Sequence, residues 1–404
     1  MSFDLFAYRK LQDTAADCED RCDQIEREMR DPKAAERFAL KQSQAFVDQM
    51  EGFALELEDE LMNFSDVSYK SFVKSESEII TLFYDKFADI PLLSRMDAVA
   101  ETFIDEIETL LNRDLPEEER IPLIEKFQKM YETMDFYVLY NRFLKKEGYQ
   151  TLPRRPLEKR KLRYEDVYPV LYLKYRLSRQ AERSNIKHLV IDEMQDYSRL
   201  QYLIIRRMFS CKMTILGDRA QTMADQQQDV LQFLPGIFGK DLRRIEMRKS
   251  YRNTVEIASY AANLIGVTDL ELFERHGMPV LERNVTDLEA ALREAVDTLF
   301  PDEKTYETAA VIVPDEKTAE RAYLILREIL AEKDFDCEKR LSWLNRDSSS
   351  FKKGLTVTTF YLAKGLEFDQ VFSIFPKDEK REMMMQAQYI AATRALHELR
   401  VYHI

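Results

Sequence analysis

Ile186-Lys187-His188-Leu189-Val190-Ile191-Asp192-Glu193-Met194-Gln195-Asp196-Tyr197-Ser198 is a short apolar run that ends abruptly in acid. Leu189 to Ile191 suits a buried parallel strand, and such a strand delivers the residues after it to the carboxyl edge of a sheet, where ligands bind. Three carboxylates gathered there, Asp192, Glu193 and Asp196, need a reason. In a nucleotide-hydrolysing site one carboxylate holds Mg²⁺, directly or through water, and its neighbour orients the attacking water. Asp192 and Glu193 read in those two roles. The bland alternative is a strand that ends in solvated acids, and the stretches downstream weigh against it.

A chain of 404 residues has room for two or three domains, and 45% hydrophobic with 11% aromatic content fits packed cores rather than disorder. The net charge of −13 means that the protein will not coat nucleic acid indiscriminately, so any contact with it needs a local basic surface. Four cysteines do not make a disulfide framework, which suits a reduced compartment. No apolar run reaches the roughly 18 residues of a membrane span, and Met1-Ser2-Phe3-Asp4-Leu5-Phe6-Ala7-Tyr8 lacks the basic start and apolar centre of a signal peptide. A cytoplasmic protein without a membrane partner is the expectation. Glycines number only nine, and a phosphate-cradling loop requires them.

Leu11, Ala15, Cys18, Cys22, Ile25 and Met29 recur at alternating spacings of four and three, which predicts the seam of one amphipathic helix ended by Pro32. Cys18 and Cys22 belong to that seam rather than to a metal, since no other Cys or His lies near them in sequence. Phe46, Met50, Phe53, Leu57 and Leu61 repeat the helical spacing. So do Met96, Val99, Phe103, Ile107 and Leu110 after Ser94, and a stretch from Pro122 through Phe127, Met130, Tyr131, Met134, Tyr137 and Phe143 to Gly148. Residues 1–150 thus read as almost entirely helical, with methionine and aromatic stripes as core. Arg154, Arg155, Lys159, Arg160, Lys161 and Arg163 then form the one dense basic run of the chain, either a solvated linker or a contact for phosphate or an acidic partner.

From about 165 the pattern alternates. Strands are expected at Ile186–Asp192, Met213–Gly217, Arg244–Met247, Ala309–Val313, Thr356–Thr359, Gln370–Phe375 and Leu399–His403. Helices are expected at Ser198–Met208, Thr254–Leu264, Lys317–Leu330 and Met383–Leu396. Such alternation implies parallel α/β layers, and the number of strands places a boundary near 240.

Four more stretches follow the acidic one in order: Thr214-Ile215-Leu216-Gly217-Asp218-Arg219-Ala220-Gln221, whose Gln can donate to a terminal phosphate; Lys249-Ser250-Tyr251-Arg252-Asn253-Thr254-Val255-Glu256-Ile257, an Arg just before a helix capped by Asn253 or Thr254; Val357-Thr358-Thr359-Phe360-Tyr361-Leu362-Ala363-Lys364-Gly365-Leu366-Glu367-Phe368-Asp369; and Gln388-Tyr389-Ile390-Ala391-Ala392-Thr393-Arg394-Ala395-Leu396. In this order and spacing the five resemble the motor core of superfamily-one helicases of the UvrD type, most closely the HelD branch that associates with bacterial RNA polymerase. The motif-bearing resemblance covers residues 186–403. More loosely, Met1 to Tyr8, Ile90 to Asp97 and Tyr137 to Phe143 look like the helical arm that HelD proteins insert into their first RecA-like domain.

The resemblance implies an α/β fold of RecA-like P-loop NTPase domains, the first incomplete, with a large all-helical insertion on the N-terminal side. Residues 1–40 would be a helical remnant of the first RecA-like domain, 41–165 the arm, 166–240 the rest of the first domain, and 241–404 the second RecA-like domain. ATP and Mg²⁺ are the implied cofactors. Asp192 would hold the metal, Glu193 would be the catalytic base, Gln195 would couple nucleotide state to the domain interface, and Gln221 would sense the γ-phosphate. Arg252 and Arg394 would be arginine fingers, since a planar, always-ionised guanidinium suits the charge spread over a phosphoryl group in transfer. Glu367 would help to bind the nucleotide, and ATP would close the cleft between the domains. Read without the motifs, Arg252 and Arg394 are ordinary ion-pair residues. Thr359 and Lys364 either contact nucleic acid or cap a turn.

Two departures bear on function. No Gly-x-x-x-x-Gly-Lys-[Ser/Thr] occurs; Leu234-Pro235-Gly236-Ile237-Phe238-Gly239-Lys240-Asp241 comes nearest and reads as a turn. Without that loop the phosphates lose their main cradle, so the chain reads as the C-terminal portion of a motor whose N-terminal P-loop segment is missing, unable to hydrolyse ATP alone. Thr222-Met223-Ala224-Asp225-Gln226 also lacks the aromatics that stack on bases in UvrD-type motors, and Tyr361 stands where His is usual. Stacking is worth about 1–3 kcal/mol per base, so tracking along single-stranded DNA should be weak. The leading expectation is a helicase or translocase that remodels DNA or RNA polymerase complexes, with DNA, single-stranded or in a transcription bubble, as partner. The alternatives are a non-catalytic RNA polymerase-binding module and a split motor with its P-loop on another polypeptide.

Overall fold

The computed structural model describes residues 2–179, 186–218, 221, 230–247, 249–267, 271–300, 306–333, 335–346, 348, 353–377 and 382–404. The chain divides into two compact units. One comprises Met1–Asp192, Tyr197–Leu216 and Val230–Lys240; the other comprises Glu193–Asp196, Gly217–Asp229 and Asp241–Ile404.

Unit 1 is mostly helical: α1 (Phe3–Lys10), α2 (Arg21–Arg30), α3 (Pro32–Lys41), α4 (Gln44–Glu60), α5 (Glu76–Thr81), α6 (Arg95–Leu111), α7 (Glu117–Gln128), α8 (Phe136–Lys146), α9 (Tyr164–Leu177), α10 (Arg199–Met208) and α11 (Val230–Phe238). Short strands interrupt them: β1 (Asp17–Cys18) pairs in parallel with β4 (Lys161–Leu162), and β2 (Val67–Tyr69) forms a hairpin with β3 (Phe72–Lys74). The single helix expected from Leu11 to Met29 does not form. α1 stops at Lys10, β1 intervenes, and Asp20 starts α2 afresh by accepting from the Asp23 amide at 2.8 Å. A local cap and a strand pairing thus override the four-three spacing. A helix does end just before Pro32, since α2 stops at Arg30 with Asp31 as its C-cap; Pro32 then opens α3 at its first turn behind the same Asp31, which the missing N–H of proline permits. Likewise the stretch from 234 to 241 is not a simple turn: α11 runs through Pro235 and Gly236 and ends at Phe238.

At the centre of unit 1 lies α9, with 12 of its 14 residues buried. A helix buried on all sides must satisfy its polar groups internally. Lys41 Nζ donates to Glu165 at 3.0 Å and to Asp166 at 2.7 Å, and Tyr140 Oη donates to Asp166 at 2.8 Å. Burial, reinforced by the Asp166 charge, pushes the Tyr140 phenol well above its usual range, so it stays a donor. Tyr140→Phe is expected to cost about 1–3 kcal/mol, the worth of a buried hydrogen bond to a charged acceptor; urea unfolding of the variant checks this.

The last strands of unit 1 are β5 (His188–Ile191) and β6 (Lys212–Ile215), parallel, with Ile191 opposite Ile215. Among the described residues this is a two-stranded sheet, and it buries less than the apolar run suggests. Ile191 is buried, whereas Val190 is 59% exposed.

Unit 2 is a doubly covered parallel sheet. Its strands are β9 (Leu281–Asn284), β10 (Thr308–Val313), β11 (Leu341–Trp343), β12 (Gly354–Thr359), β13 (Phe368–Phe375) and β14 (Ala395–His403), in the order β11-β12-β10-β13-β14-β9, every neighbouring pair parallel. The inner strands β12, β10 and β13 are buried almost throughout, as parallel strands covered on both faces must be. α13 (Leu288–Asp297) and α14 (Glu316–Ala331) pack on Val311, Val357, Phe372 and Ile374. α12 (Val255–Ile265) and α16 (Glu382–Thr393) pack together and against β13 and β14, adding no residue to that layer. A small parallel pair, β7 (Lys249–Ser250) and β8 (Glu271–Leu272), leads into α12. Arg244–Met247 is not a strand; Ile245 and Met247 stand 74% and 91% exposed, and no strand among the described residues pairs with them. β9 and β11 are too short to carry a spacing signal, whereas α13 buries Leu288, Ala291, Leu292, Ala295 and Val296 at helical spacing, a signal the expected helices do not include.

All four cysteines are free thiols. Among the described residues no helix is long and apolar enough to cross a membrane, and no three His, Cys, Asp or Glu side chains converge as a metal site.

Candidate functional site

Asp192 follows β5 directly as the last residue of that segment of unit 1. Glu193 to Asp196 belong to unit 2. Glu193 takes φ +52°, a left-handed backbone that costs a non-glycine residue about 1–2 kcal/mol and is held only where surrounding contacts insist on it. A single 3₁₀ turn, Met194–Asp196, follows.

Within unit 2 the quoted stretches meet in one run of hydrogen bonds. Gln195 Nε2 donates to Glu193 Oε2 at 2.6 Å, and Gln195 Oε1 accepts from the Asp218 amide at 3.1 Å. Gln221 Nε2 donates to Asp218 Oδ2 at 3.0 Å, and Gln221 Oε1 accepts from Arg394 Nη2 at 3.1 Å. The acidic stretch, the Gly-Asp-x-x-Gln stretch and the final Arg are thereby joined from Glu193 to Arg394. Gly217 makes the close approach feasible: a Cβ there would fall 2.4 Å from Gln195 Oε1 and 2.6 Å from the Met194 backbone nitrogen.

Arg394 is 1% exposed and spends its donors inside the unit, to Leu366 O at 3.3 Å, Ile390 O at 3.2 Å and Thr393 Oγ1 at 3.1 Å besides Gln221. Burial holds its guanidinium below the ordinary range, and the like charge of Arg252 adds to that; Glu193 and Glu367 act the other way. The like charges of Arg252 and Arg394 thus repel each other, and Glu193 and Glu367 offset that repulsion. Arg252 itself pairs with Glu367 at 2.7 Å, both side chains half exposed.

Lys364 is nearly buried and turns to the acidic stretch, with Nζ 2.5 Å from Asp196 Oδ1, 3.7 Å from Glu193 Oε2 and 3.4 Å from Gln221 O. Thr359, the last residue of β12, is fully buried and caps a turn by accepting from the Leu362 amide at 3.4 Å. Tyr361 is also buried, edge-on to Phe360 at 5.2 Å. Of the sequence-derived residues, Glu193, Gln195, Gln221, Lys364 and Arg394 share one network, and Arg252 with Glu367 form a separate pair.

Three further residues, Asp218, Tyr389 and Asn253, support this network. Asp218 receives both Gln221 and the Tyr389 hydroxyl, the latter at 3.4 Å, and burial together with the Asp218 charge pushes the Tyr389 phenol up. Asn253 is no helix cap; Thr254 caps α12, and Asn253 Nδ2 donates to the carbonyls of Thr393 and Ala395 at 3.1 and 2.7 Å, fixing the backbone on either side of Arg394. The Gly-Asp and Tyr-Arg-Asn wording carried that signal, but nothing local says which polar groups are buried.

Residues 2–223, just over half of the chain, match the UvrD/REP helicase N-terminal domain family. The chain belongs to the UvrD/REP helicase family. Solved structures similar to this UvrD/REP-family chain include the C-terminal domain of a possible DNA helicase from Lactobacillus plantarum, with 24% identity, 38% of this chain and 88% of that one covered, and a TM-score of 0.30. The PRRSV helicase follows at 14% identity, 66% of this chain and 45% of that one, TM-score 0.31. Arterivirus nonstructural protein 10, a helicase solved in complex with DNA, has 14% identity, 66% and 51% coverage and a TM-score of 0.29. The chain spans about half the length of these viral helicases. No curated protein sequence matches it.

Proposed function

We propose that this chain carries the γ-phosphate-reading and water-activating part of the ATP site of a UvrD/HelD-like superfamily-one helicase or translocase that remodels DNA or RNA polymerase complexes. The observation that carries the reading is the continuous hydrogen-bonded run from Glu193 to Arg394, with the Arg252 charge set against Arg394. Bound ATP with Mg²⁺ supplies the electrophilic phosphorus and the leaving diphosphate. The residue types fit a polyphosphate: two guanidiniums, the Gln221 amide and the Lys364 ammonium as donors, interleaved with carboxylates that could serve water and metal.

In this reading Glu193 accepts the proton of the attacking water, and Gln195, bonded to Glu193 and to the Asp218 amide, holds that carboxylate in place. Asp192 would hold Mg²⁺, which commonly takes one or two protein carboxylates and fills its remaining positions with phosphate and water. An arriving phosphate would compete with Gln221 for Arg394 and with Glu367 for Arg252, so binding would rearrange the network that orients Glu193. The likeness of Met1–Tyr8, Ile90–Asp97 and Tyr137–Phe143 to the HelD arm supports RNA polymerase as the larger partner.

Hydrolysis also requires a P-loop, which no stretch of these 404 residues supplies. The test measures ATP turnover by the purified chain alone and with a P-loop-bearing segment added or fused. No turnover alone and turnover with the segment is expected, with Glu193→Gln lowering the latter by about a hundredfold or more while an ATP analogue still binds. Undiminished hydrolysis by Glu193→Gln would remove Glu193 from the base role. The lack of a P-loop favours the second reading, a non-catalytic polymerase-binding module; polymerase capture with no turnover under any supplementation would establish that one instead.

A further inference from the structure

Between 154 and 163 six cations, Arg154, Arg155, Lys159, Arg160, Lys161 and Arg163, face one acid, Glu158. Two of the six are committed to the fold. Arg160 donates to Thr14 O at 3.2 Å and Arg155 O at 3.0 Å, pairs with Asp135 at 2.7 Å and lies 4.6 Å over the Tyr137 ring; Lys161 pairs with Asp17 at 2.9 Å. The other four, Arg154, Arg155, Lys159 and Arg163, are exposed, and among the described residues their side chains have no ion-pair partner. Elsewhere in unit 1 the habit is the opposite: Arg21, Arg27, Arg95, Arg120, Arg142 and Arg176 all sit in ion pairs.

The strip is also pinned along its length. The Leu152 amide donates to Asn141 Oδ1 at 2.7 Å, and Tyr137 Oη donates to Pro153 O at 2.8 Å. Leu157–Lys159 form a 3₁₀ turn. β4 then pairs with β1, burying Leu162 and leaving Lys161 and Arg163 outward on either side of it. A pre-set backbone lowers the ordering cost of binding, so the four free cations are already placed.

We propose that this anchored strip docks the phosphate backbone of a nucleic-acid duplex. In a chain of net charge −13, an anionic polymer is repelled by most of the surface and accepted here. No aromatic residue lies between 154 and 163, so the strip offers no stacking platform of the kind that single strands need. Charge alone suits a duplex, which carries one phosphate per about 1.7 Å of axis. The proposal rests on the nucleic-acid partner of the proposed function and is independent of its ATP chemistry.

The test titrates the full chain with a labelled DNA duplex of about 20 base pairs, and with one of its strands alone, between about 50 and 300 mM NaCl. The variant changes Arg154, Arg155, Lys159 and Arg163 to Gln and keeps Arg160 and Lys161; because the four side chains are exposed and make no ion pair among the described residues, its thermal melt should match the parent. Expected is duplex binding weakened about tenfold or more at the lowest salt, with the slope of log K against log salt reduced by about 3. Equal affinity and slope in parent and variant would overturn the proposal. So would single-strand binding as tight as duplex binding, or binding to polyglutamate but not duplex that the variant loses, the result expected of an acidic protein partner. Binding of an ATP analogue, measured on the variant with the P-loop-bearing segment added, stays at the parent level; a supplemented parent that binds none would count against the nucleotide site and not against the strip.

Discussion

Arg394→Met is expected to leave unit 2 folded while lowering ATP turnover of the P-loop-supplemented motor by about a thousandfold or more, the scale on which arginine fingers act. The two halves of this expectation have separate physical causes. Arg394 is buried, and its charge is disfavoured first by burial and then by Arg252. Replacing such a charge with the shorter, flexible apolar side chain of Met removes its desolvation penalty, which offsets the donors lost at Leu366 O, Ile390 O, Thr393 Oγ1 and Gln221 Oε1; the net change should stay within about 2 kcal/mol. Arg394→Ala should behave differently. It leaves a cavity as well as orphaned carbonyls, and a loss of about 3–5 kcal/mol is expected. Thermal melts of both variants beside turnover separate packing from chemistry. A Met variant that hydrolyses ATP at the parent rate would reduce Arg394 to a structural residue.

Much of unit 2 was legible because its strands are short apolar runs with abrupt ends. The readings Ala309–Val313, Thr356–Thr359 and Gln370–Phe375 lie inside β10, β12 and β13, and the helices between them start and stop within a few residues of their caps. Such runs write their burial into composition. What was not legible depended on partners distant in sequence. β1 exists because Asp17 and Cys18 find Lys161 and Leu162, about 140 residues away, and no window on the first 30 residues contains that pairing. α9 was missed because its buried Glu165 and Asp166 look like surface acids until Lys41 and Tyr140 are placed beside them.

The site divides the same way. Residue types could be read at the strand ends, since acids, Gln and Arg gathered there are costly without a ligand or with no partner. Their partners could not. The sequence around Lys364 suits either nucleic acid or a turn cap, and in the structure Lys364 turns to Asp196 and Glu193, while the turn cap belongs to Thr359. The exposed Arg244–Met247 shows the converse: a β-prone run alone does not make a strand, because ladder pairing is supplied by a neighbour.

Gly217→Ala, a change of one methyl group, should disconnect the site. The new Cβ would lie 2.4 Å from Gln195 Oε1, 2.5 Å from Met194 Cγ and 2.6 Å from the Met194 backbone nitrogen. The Gln195 side chain can swing away, but the Met194 backbone is set by the 3₁₀ turn and by the left-handed Glu193 before it. Relief therefore requires the two stretches to separate, at a cost of about 1–3 kcal/mol for overpacking. Separation breaks the bond from the Asp218 amide to Gln195 Oε1, and with it the support of Glu193. Turnover of the supplemented motor should fall at least tenfold, a larger effect than the methyl group alone would suggest, because a base about 1 Å out of place can cost a hundredfold. Amide hydrogen exchange gives a readout independent of activity, in which the Asp218 amide should lose its protection while amides in β12 and β13 keep theirs. Gln195→Ala removes the same bond without the clash, so adding it to Gly217→Ala should cost much less than the sum of the two single changes, as expected for residues that act through one contact. Additive losses would mean that Gly217 and Gln195 support the site separately, and the run from Glu193 to Arg394 would then not transmit strain as a unit.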